Sequence, residues 1–427
     1  MRSTTAAATA VWTVTRVALL LCVFQVFTLP GPDVTSDVRV IYQGWSEVLS
    51  RGTFPQDDVS WQYPPAAALP VLAPRALPFL DYPAAFFVLA CVADAVTFGL
   101  LLRAGRRPDG RAAGAWCWVA GVPLLGPTAY ARYDVLVTAL AVAALLTAAH
   151  RPRAAGVLAG FGALLKVWPA LLLLGIPRGR PARTAWTAAA VTGGLLALAF
   201  GVAMPGAWAF LTFQGERGTE VESLGALVFH VARHFGWEGQ VLLHYGSMEF
   251  LGPYVSVVSD VALALSVLAG VWLLSWRLRA RRWSGSTPAE AAFTAVLLFT
   301  ATSRVISPQY MVWLVGLAAV CLVLRTSRMT PPALLVLAAT GVTLLEFPVW
   351  FGHVVTSDML GIALLVVRNG LLVAACVLAC RRLWRDTVTE PRVTDRAEAA
   401  VPAAAPPCRA GTGVSRARSG DSRATAR

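Results

Sequence analysis

Charged residues are scarce in this chain, and lysine is nearly absent. Only 14% of its 427 residues carry a charged side chain, whereas 57% are apolar. Lys166 is the only lysine among 36 basic residues, and the others are arginine. So little charge excludes an ordinary soluble surface over most of the chain, and the apolar residues fall in blocks close to the ~20 residues that cross a bilayer as a helix. The composition therefore indicates a polytopic membrane protein.

The apolar blocks predict an all-α fold with about ten transmembrane helices. The net charge of +13 does not indicate nucleic-acid binding, because the arginines collect in short loops between these blocks and in the C-terminal tail. We expect a cytoplasmic N-terminus at 1–10, a membrane domain at 11–385 and a disordered cytoplasmic tail at 386–427. The predicted spans are 11–29, 84–102, 113–129, 134–149, 184–204, 254–276, 289–303, 308–324, 332–350 and 359–380.

One apolar segment, 154–176, does not fit a simple crossing. Arginines flank it on both sides, so a single crossing would place one basic loop outside. Pro169 breaks helical hydrogen bonding at its middle, and we therefore predict a re-entrant hairpin with Lys166 at its tip. A lysine near the end of a span can instead extend to the interface, but Lys166 lies near the centre of its segment. An ionisable group at that depth favours a ligand-binding role, and a lipid phosphate is a suitable anion.

This topology leaves two long external loops, at 30–83 and 205–253. Apolar residues at helical spacing between Ser36 and Gly52 predict an amphipathic helix on the membrane surface, with Ser36 as its N-cap and Gly52 as its end. Asp37 falls in the first turn, where interaction with the helix dipole is a sufficient structural reason for a carboxylate.

External cysteine is also absent: the cysteines lie in apolar segments, except for Cys408 in the tail. No structural disulfide is expected.

Three histidines of the second external loop, His230, His234 and His244, could suggest a zinc site. They lack the HExxH pattern, so packing or surface roles are favoured and no metal is predicted.

An ordered set of motifs carries a resemblance to a known family. In chain order they are "TSDVRVIYQGW", "WQYPP", "ARYDVLVTAL", "LLKVWPALLLL", "RGTEVESLGAL" and "SPQYMVWLVGLA". Over residues 10–380 the set resembles the GT-C membrane glycosyltransferases of family 87, which are actinobacterial mannosyltransferases that use a polyprenyl-phosphate sugar. The resemblance implies transfer of a hexose, expected to be mannose, to an acceptor hydroxyl on the extracytoplasmic face of the cell membrane, usually with inversion.

The resemblance also assigns roles to residues. It implies that Asp37 is the base that takes the acceptor proton, and a cationic site is then needed for the departing phosphate. Asp57 and Asp58 are rivals in the same loop and are more readily explained as solvated charges. The candidates for phosphate binding are Lys166, Arg132, Arg304 and His353. The candidates for substrate binding are Tyr42, Tyr63, Asp134, Glu222, Ser223, Gln309 and Tyr310.

The sequence also permits other roles for these residues and another class of membrane protein. Asp134 could pair with the nearby Arg132 or cap the following helix. A transporter or lipid-linked sugar flippase would also have many helices and a buried cation, although no internal repeat is evident. A scaffold without activity would leave Lys166 unexplained. The expected partners are the lipid-linked sugar donor, a lipid-linked or glycan acceptor and membrane lipids, with no cofactor, and the sequence does not name the acceptor.

Overall fold

The computed structural model describes residues 2–215 and 217–389, which are mostly helical. The helices before the second long loop are α1 (Arg2–Val23), α2 (Gln43–Ser50), α3 (Ala68–Leu72), α4 (Tyr82–Gly105), α5 (Ala113–Leu125), α6 (Asp134–Ala148), α7 (Pro152–Leu165) and α8 (Arg180–Ala203). The later helices are α9 (Phe210–Gly215), α10 (Ala226–Ala232), α11 (Val255–Arg279), α12 (Thr287–Thr302), α13 (Tyr310–Val323), α14 (Thr330–Leu344), α15 (Phe351–Thr356) and α16 (Met359–Thr387). Short 3-10 or π-helical segments occur at Asp37–Tyr42, Pro65–Ala67, Ala73–Ala76, Gly126–Ala129, Trp168–Gly175, Arg233–Phe235 and Leu345–Val349.

Six helices are long and apolar enough to cross a membrane: α1, α4, α8, α11, α14 with the segment that follows it, and α16. They coincide with six of the predicted spans. The other four predicted spans form α5, α6, α12 and α13, which have 13 to 16 residues. At 1.5 Å per residue such helices reach about 20–24 Å, short of the ~30 Å hydrocarbon core. Ten full spans are therefore not confirmed.

The short helix α13 forms the centre of the bundle. Every residue from Met311 to Val323 is buried, and α13 packs against α5, α6, α12 and α14. The approach of α5 is close: a Cβ on Gly114 would lie 2.2 Å from Val323 Cγ2. Because α13 is surrounded by protein, its apolar sequence is explained by burial in the bundle as well as by a lipid environment, so hydropathy alone does not establish that it spans.

A buried ion pair ties the N-terminal helices together. Asp94 on α4 accepts hydrogen bonds from Arg16 Nε on α1 at 2.8 Å and from Trp118 Nε1 on α5 at 2.5 Å. Tyr130 Oη donates to the same carboxylate at 2.8 Å. These donors satisfy a carboxylate that would otherwise be costly to bury. The network sets the relative positions of α1, α4 and α5.

The first long loop contains the helix predicted from its periodicity. A π-helical turn, Asp37–Tyr42, continues directly into α2, and the chain leaves the helix near Gly52, whose φ is +84°. Val38, Tyr42 and Trp45 are on its buried face. One detail of the prediction is wrong: the Ser36 side chain makes no capping hydrogen bond. The face that we assigned to a membrane surface packs on protein.

The second long loop contains a small antiparallel sheet that the sequence analysis did not predict. Its strands are β1 (Thr219–Glu220), β2 (Gln240–His244) and β3 (Ser247–Leu251), in the order β1-β3-β2. Tyr245 and Gly246 join β2 to β3 with φ values of +47° and +78°. Positive φ at both positions is typical of tight hairpin turns. The fold is therefore mainly but not wholly helical.

The chain reverses after α7, as the hairpin prediction requires. A Cβ on Gly156 would lie 2.1 Å from Ala185 O, and one on Gly160 would lie 2.4 Å from Ala189 O. Residue numbers therefore increase in the same direction along both helices, so α7 and α8 are parallel. The segment between them must run back from the end of α7 to the start of α8. Lys166 adopts an extended conformation at the point of reversal. That this reversal is re-entrant in a bilayer stays a prediction.

The predicted tail begins too early. Helix α16 continues to Thr387, two residues beyond the predicted end of the membrane domain at 385. Residues 390–427, which make up most of the predicted disordered tail, lie outside the described residues.

Candidate active site

A cavity of about 680 Å³ lies where the two long loops meet the ends of α7, α12 and α13. One part of its wall is polar and contains most of the predicted site residues. Another part is apolar and includes Phe299, Phe347 and Phe351. The cavity therefore offers both charged and hydrophobic side chains to a ligand.

Asp37 and Arg132 form an ion pair in the polar wall. The Arg132 Nη2 to Asp37 Oδ2 distance is 2.7 Å, and Arg132 Nη1 donates to the carbonyl oxygens of Val34 at 3.1 Å and Ala131 at 2.7 Å. Arg132 thereby fixes the start of the first-loop helix against the turn before α6. The Asp37 side chain is 30% exposed and lines the cavity, so one oxygen is held by Arg132 while the carboxylate remains accessible.

Lys166 extends from the end of α7 into an aromatic enclosure. Its ammonium lies 5.3 Å from the ring centroids of Tyr63 and Tyr133, 5.7 Å from Tyr310 and 5.0 Å from Trp313. These distances suit cation–π attraction, which grows when the cation is desolvated. Lys166 is almost entirely buried yet still forms part of the cavity wall.

Asp134 lies behind Lys166. Its Oδ1 atom accepts from Lys166 Nζ at 2.7 Å and from Trp313 Nε1 at 2.6 Å. Its Oδ2 atom is buried without a hydrogen-bond partner among the described residues. Asp134 does not line the cavity, so the structure does not bring it to a substrate. The alternative that it pairs with Arg132 is also wrong, because Lys166 is its cationic partner.

Arg217, which the sequence analysis did not select, also lines the cavity. Arg217 Nε contacts Glu249 Oε1 at 3.1 Å, and Nη2 donates to Ser247 Oγ at 2.5 Å. The carboxylate of Glu249 is buried on β3 and also accepts from Gly218 N at 3.0 Å. The sheet therefore positions Arg217 toward the cavity. The sequence did contain a signal for Arg217: it lies in a loop predicted to be external, and basic residues are depleted in such loops.

Arg304 stands close enough to Arg217 for the two charges to interact. Burial lowers the pKa of Arg304, and the neighbouring Arg217 charge lowers it further. Two like charges at one wall are favourable only when an anion compensates for their repulsion. This pair adds two arginines to a wall that also contains Lys166 and Arg132.

Two glutamates of the second loop face the same cavity. Glu220, another residue that the sequence analysis missed, accepts from Ser307 Oγ at 2.9 Å, and its Oε2 atom is buried without a partner among the described residues. Burial raises the pKa of Glu220. Burial and then the charge of Glu346 raise the pKa of Glu222 well above its usual range. Both shifts make the charged form of these carboxyl groups less favourable than that of an ordinary glutamate.

The remaining predicted residues divide into two groups. Tyr42, Tyr63, Gln309 and Tyr310 line the cavity as expected, and burial raises the pKa of Tyr63 to about 12. Ser223 does not line it: Ser223 Oγ accepts from Ala226 N at 3.2 Å at the start of α10. His353 does not line it either, and its exposed imidazole is paired with Asp358.

The histidines of the second loop have protein partners. His230 is buried between Val221 O and Ser357 Oγ, at 2.8 Å from each, and burial lowers its pKa to about 4. His234 contacts Ser357 O at 2.7 Å, and His244 contacts Glu249 at 3.1 Å. Among residues 2–215 and 217–389, no group of three His, Cys, Asp or Glu side chains could hold a metal ion.

The fold and cavity define a mostly helical membrane protein with a charged, partly aromatic pocket beside its long loops. The sequence model of glycosyltransferase family 87 matches residues 61–308, which is more than half of the chain, and the chain belongs to this family. No curated protein and no solved structure matches it. The matched region includes Arg132, Lys166, Arg217 and Arg304, whereas Asp37 precedes it. The protein is thus a membrane glycosyltransferase.

Proposed function

We propose that this glycosyltransferase moves a hexose, by resemblance mannose, from a polyprenyl-phosphate donor to an acceptor hydroxyl on the extracytoplasmic face. The observation that carries the proposal is the Asp37–Arg132 pair, which shares one cavity with Lys166, Arg217 and Arg304. A carboxylate beside a cationic wall matches the two requirements of glycosyl transfer from a phosphate. The family membership indicates a transferase and not a transporter.

The reaction forms a bond between the acceptor oxygen and the anomeric carbon of the sugar. The bond from that carbon to the phosphate oxygen breaks, and its electron pair leaves with the polyprenyl phosphate. Asp37 takes the acceptor proton as general base. Arg132 fixes one oxygen of Asp37, so the carboxylate is oriented before the acceptor arrives. Attack on the face opposite the phosphate gives inversion.

The phosphate gains a negative charge during this displacement. Cationic groups that contact it bind the transition state more tightly than the ground state and so accelerate the step. Arg217 and Arg304 can each offer a planar fork of N–H donors to phosphate oxygens. Lys166 has three ammonium protons and Asp134 accepts one of them, which leaves donors for the phosphate.

The apolar part of the wall suits the lipid portion of the donor. Phe299, Phe347 and Phe351 lie in the wall, and Leu211 and Leu243 are 61% and 74% exposed beside it. Exposed large apolar side chains next to a charged site favour a ligand that has both a phosphate and a hydrocarbon chain. A sugar nucleotide has no hydrocarbon chain that would pack against these apolar side chains.

A reconstituted assay tests the proposal. Purified protein receives a polyprenyl-phosphate hexose with a labelled sugar, together with envelope lipids and glycans from a strain that lacks the gene. We expect a labelled product that mass spectrometry finds to be one hexose heavier than its acceptor. Labelling from a sugar nucleotide but not from the lipid donor would refute the assigned donor class.

Asp37→Asn is the decisive variant. It should abolish transfer while donor binding persists, because the base acts chiefly in the transition state. Asp57→Asn is the matched control, since Asp57 is an exposed carboxylate of the same loop and does not line the cavity. Activity of Asp37→Asn close to that of Asp57→Asn would remove Asp37 from the mechanism.

A further inference from the structure

A second cavity, of about 640 Å³, lies between the N-terminal parts of α7 and α8. Arg153 lines it from α7, and Arg180 and Arg183 line it from α8. Arg153 comes thirteen residues before Lys166, which is about 20 Å along a helix axis. This groove is therefore distinct from the active-site cavity and lies toward the opposite ends of the helices.

Close helix packing creates the groove. Gly156 and Gly160 of α7 face Ala185 and Ala189 of α8, and at either glycine a Cβ would clash with the α8 backbone. Small residues spaced by four positions let two helices approach in this way inside membranes. The side chains that flank the contact then line the two sides of the groove.

The arginines of the groove lack acidic partners. The chain has no Asp or Glu between Asp134 and Glu216, so no carboxylate close in the sequence can compensate for the charges of these arginines. Among the described residues, the side chains of Arg153, Arg180 and Arg183 have no ion pair or hydrogen bond. Three cations at one groove favour an anionic ligand that can accept several N–H donors.

The surroundings identify the ligand as a lipid rather than a free anion. Val157 and Val191 line the groove beside the arginines and Thr184, Thr187 and Thr192. Beyond the groove, α8 presents a largely uncovered apolar face, with only 6% of its most apolar stretch buried. Val191 is 54% exposed and Leu195 is 63% exposed. A ligand whose head is charged and whose tail is apolar satisfies both regions.

We propose that the groove formed by Arg153, Arg180, Arg183 and the adjoining valines binds the headgroup of an anionic phospholipid, with the acyl chains along α8. The phosphate contacts the arginines, and the threonine hydroxyls contribute further donors. The site is independent of the sugar donor and lies in the leaflet opposite the active-site cavity. It does not rest on the proposed reaction.

Native mass spectrometry of the purified full chain measures this binding. The probes are dioleoyl phosphatidylglycerol, dioleoyl phosphatidylcholine and free glycerol phosphate. Wild type should bind phosphatidylglycerol in preference to phosphatidylcholine, and glycerol phosphate should not compete. Equal binding of the two lipids would overturn the proposal, and effective competition by glycerol phosphate would replace the lipid with a free anion.

The combined variant Arg153→Gln, Arg180→Gln and Arg183→Gln should lose phosphatidylglycerol affinity by on the order of 100-fold, because each arginine near a membrane surface contributes about fivefold. Arg103→Gln, Arg106→Gln and Arg107→Gln form the matched control, since these exposed arginines end α4 and lie outside the groove. The control should bind as wild type does. An equal loss in both variants would show that net charge alone attracts lipid, and no loss in the groove variant would show that the lipid does not bind at the groove. Size-exclusion chromatography confirms that each variant is folded before titration.

Discussion

Lys166 and Asp134 form an ion pair of 2.7 Å at the base of the active-site cavity, with four aromatic rings around the ammonium. The lysine is therefore both a wall of the cavity and the counter-ion of a buried carboxylate. This pairing explains why an otherwise arginine-based chain has a lysine here: a compact ammonium fits among the rings, whereas a planar guanidinium is larger and needs a different arrangement of acceptors.

Replacing Lys166 should therefore affect both stability and transfer. Lys166→Met leaves Asp134 buried without its cation, which should destabilise the protein by on the order of 3–5 kcal/mol. The double variant Lys166→Met with Asp134→Asn removes both charges and should recover most of the thermal stability. It should not recover turnover, because the phosphate still lacks the ammonium of Lys166. Full turnover of the double variant would show that Lys166 only neutralises Asp134.

Lys166→Arg tests the fit of the enclosure. It retains the charge, but we expect turnover to fall sharply because the guanidinium cannot keep both the Asp134 contact and the four ring contacts. Turnover and the thermal midpoint are measured in detergent-purified protein. Wild-type turnover of Lys166→Arg would contradict a size-selective enclosure.

Arg217 should contribute to donor binding. Arg217→Gln is expected to weaken donor affinity by about 1.5–3 kcal/mol, the range for a lost hydrogen bond to a charged group. Because Glu249 would lose a partner, the double variant Arg217→Gln with Glu249→Gln separates sheet stability from donor binding. Arg51→Gln is the control, since Arg51 is exposed in the first loop and outside the cavity. Donor KM measures the effect, and an unchanged KM in both Arg217 variants would exclude the role.

Glu222 should tolerate a neutral replacement at neutral pH. Burial and the Glu346 charge raise the pKa of Glu222, so its charged form is less favoured than that of an ordinary glutamate and a neutral side chain costs little. Glu222→Gln should therefore retain stability. Glu346→Gln should instead destabilise the protein by on the order of 3–5 kcal/mol, because Arg368, which donates from Nε to Glu346 Oε2 at 2.9 Å, would lose its nearest carboxylate. Equal thermal midpoints for the two variants would contradict this asymmetry.

His230 should make stability depend on acid pH. Its pKa is lowered to about 4 by burial in the folded chain and is about 6.5 when unfolded. The unfolded state then binds more protons between these values, so the stabilisation is present above pH ~6.5 and falls as the pH decreases toward 4. The full loss is about 3 kcal/mol. His230→Gln should flatten the pH dependence of the thermal midpoint over this window, whereas His150→Gln, at an exposed site, should leave the wild-type profile unchanged.

The sequence predicted several local features correctly because they depend on neighbouring residues. Apolar runs located the six long helices, and periodicity located the helix that carries Asp37. Pro169 marked the reversal that follows Lys166. Hydropathy does not decide whether α13 spans the membrane, since an apolar helix within a protein bundle and one within lipid have the same composition. The hairpin at Tyr245 and Gly246 was missed because its strands are short and weakly alternating.

Composition and periodicity by themselves determined that this is a helical membrane protein, and the ordered motifs indicated its family. Tertiary structure alone decided which charges meet. Arg132 lies near Asp134 in the chain but pairs with Asp37, and Asp134 pairs with Lys166. Arg217 joins the site because a strand from the same loop places Glu249 behind it. Ion pairing depends on distances of a few ångströms between segments far apart in the chain, and such distances exist only once the loops have packed against the bundle.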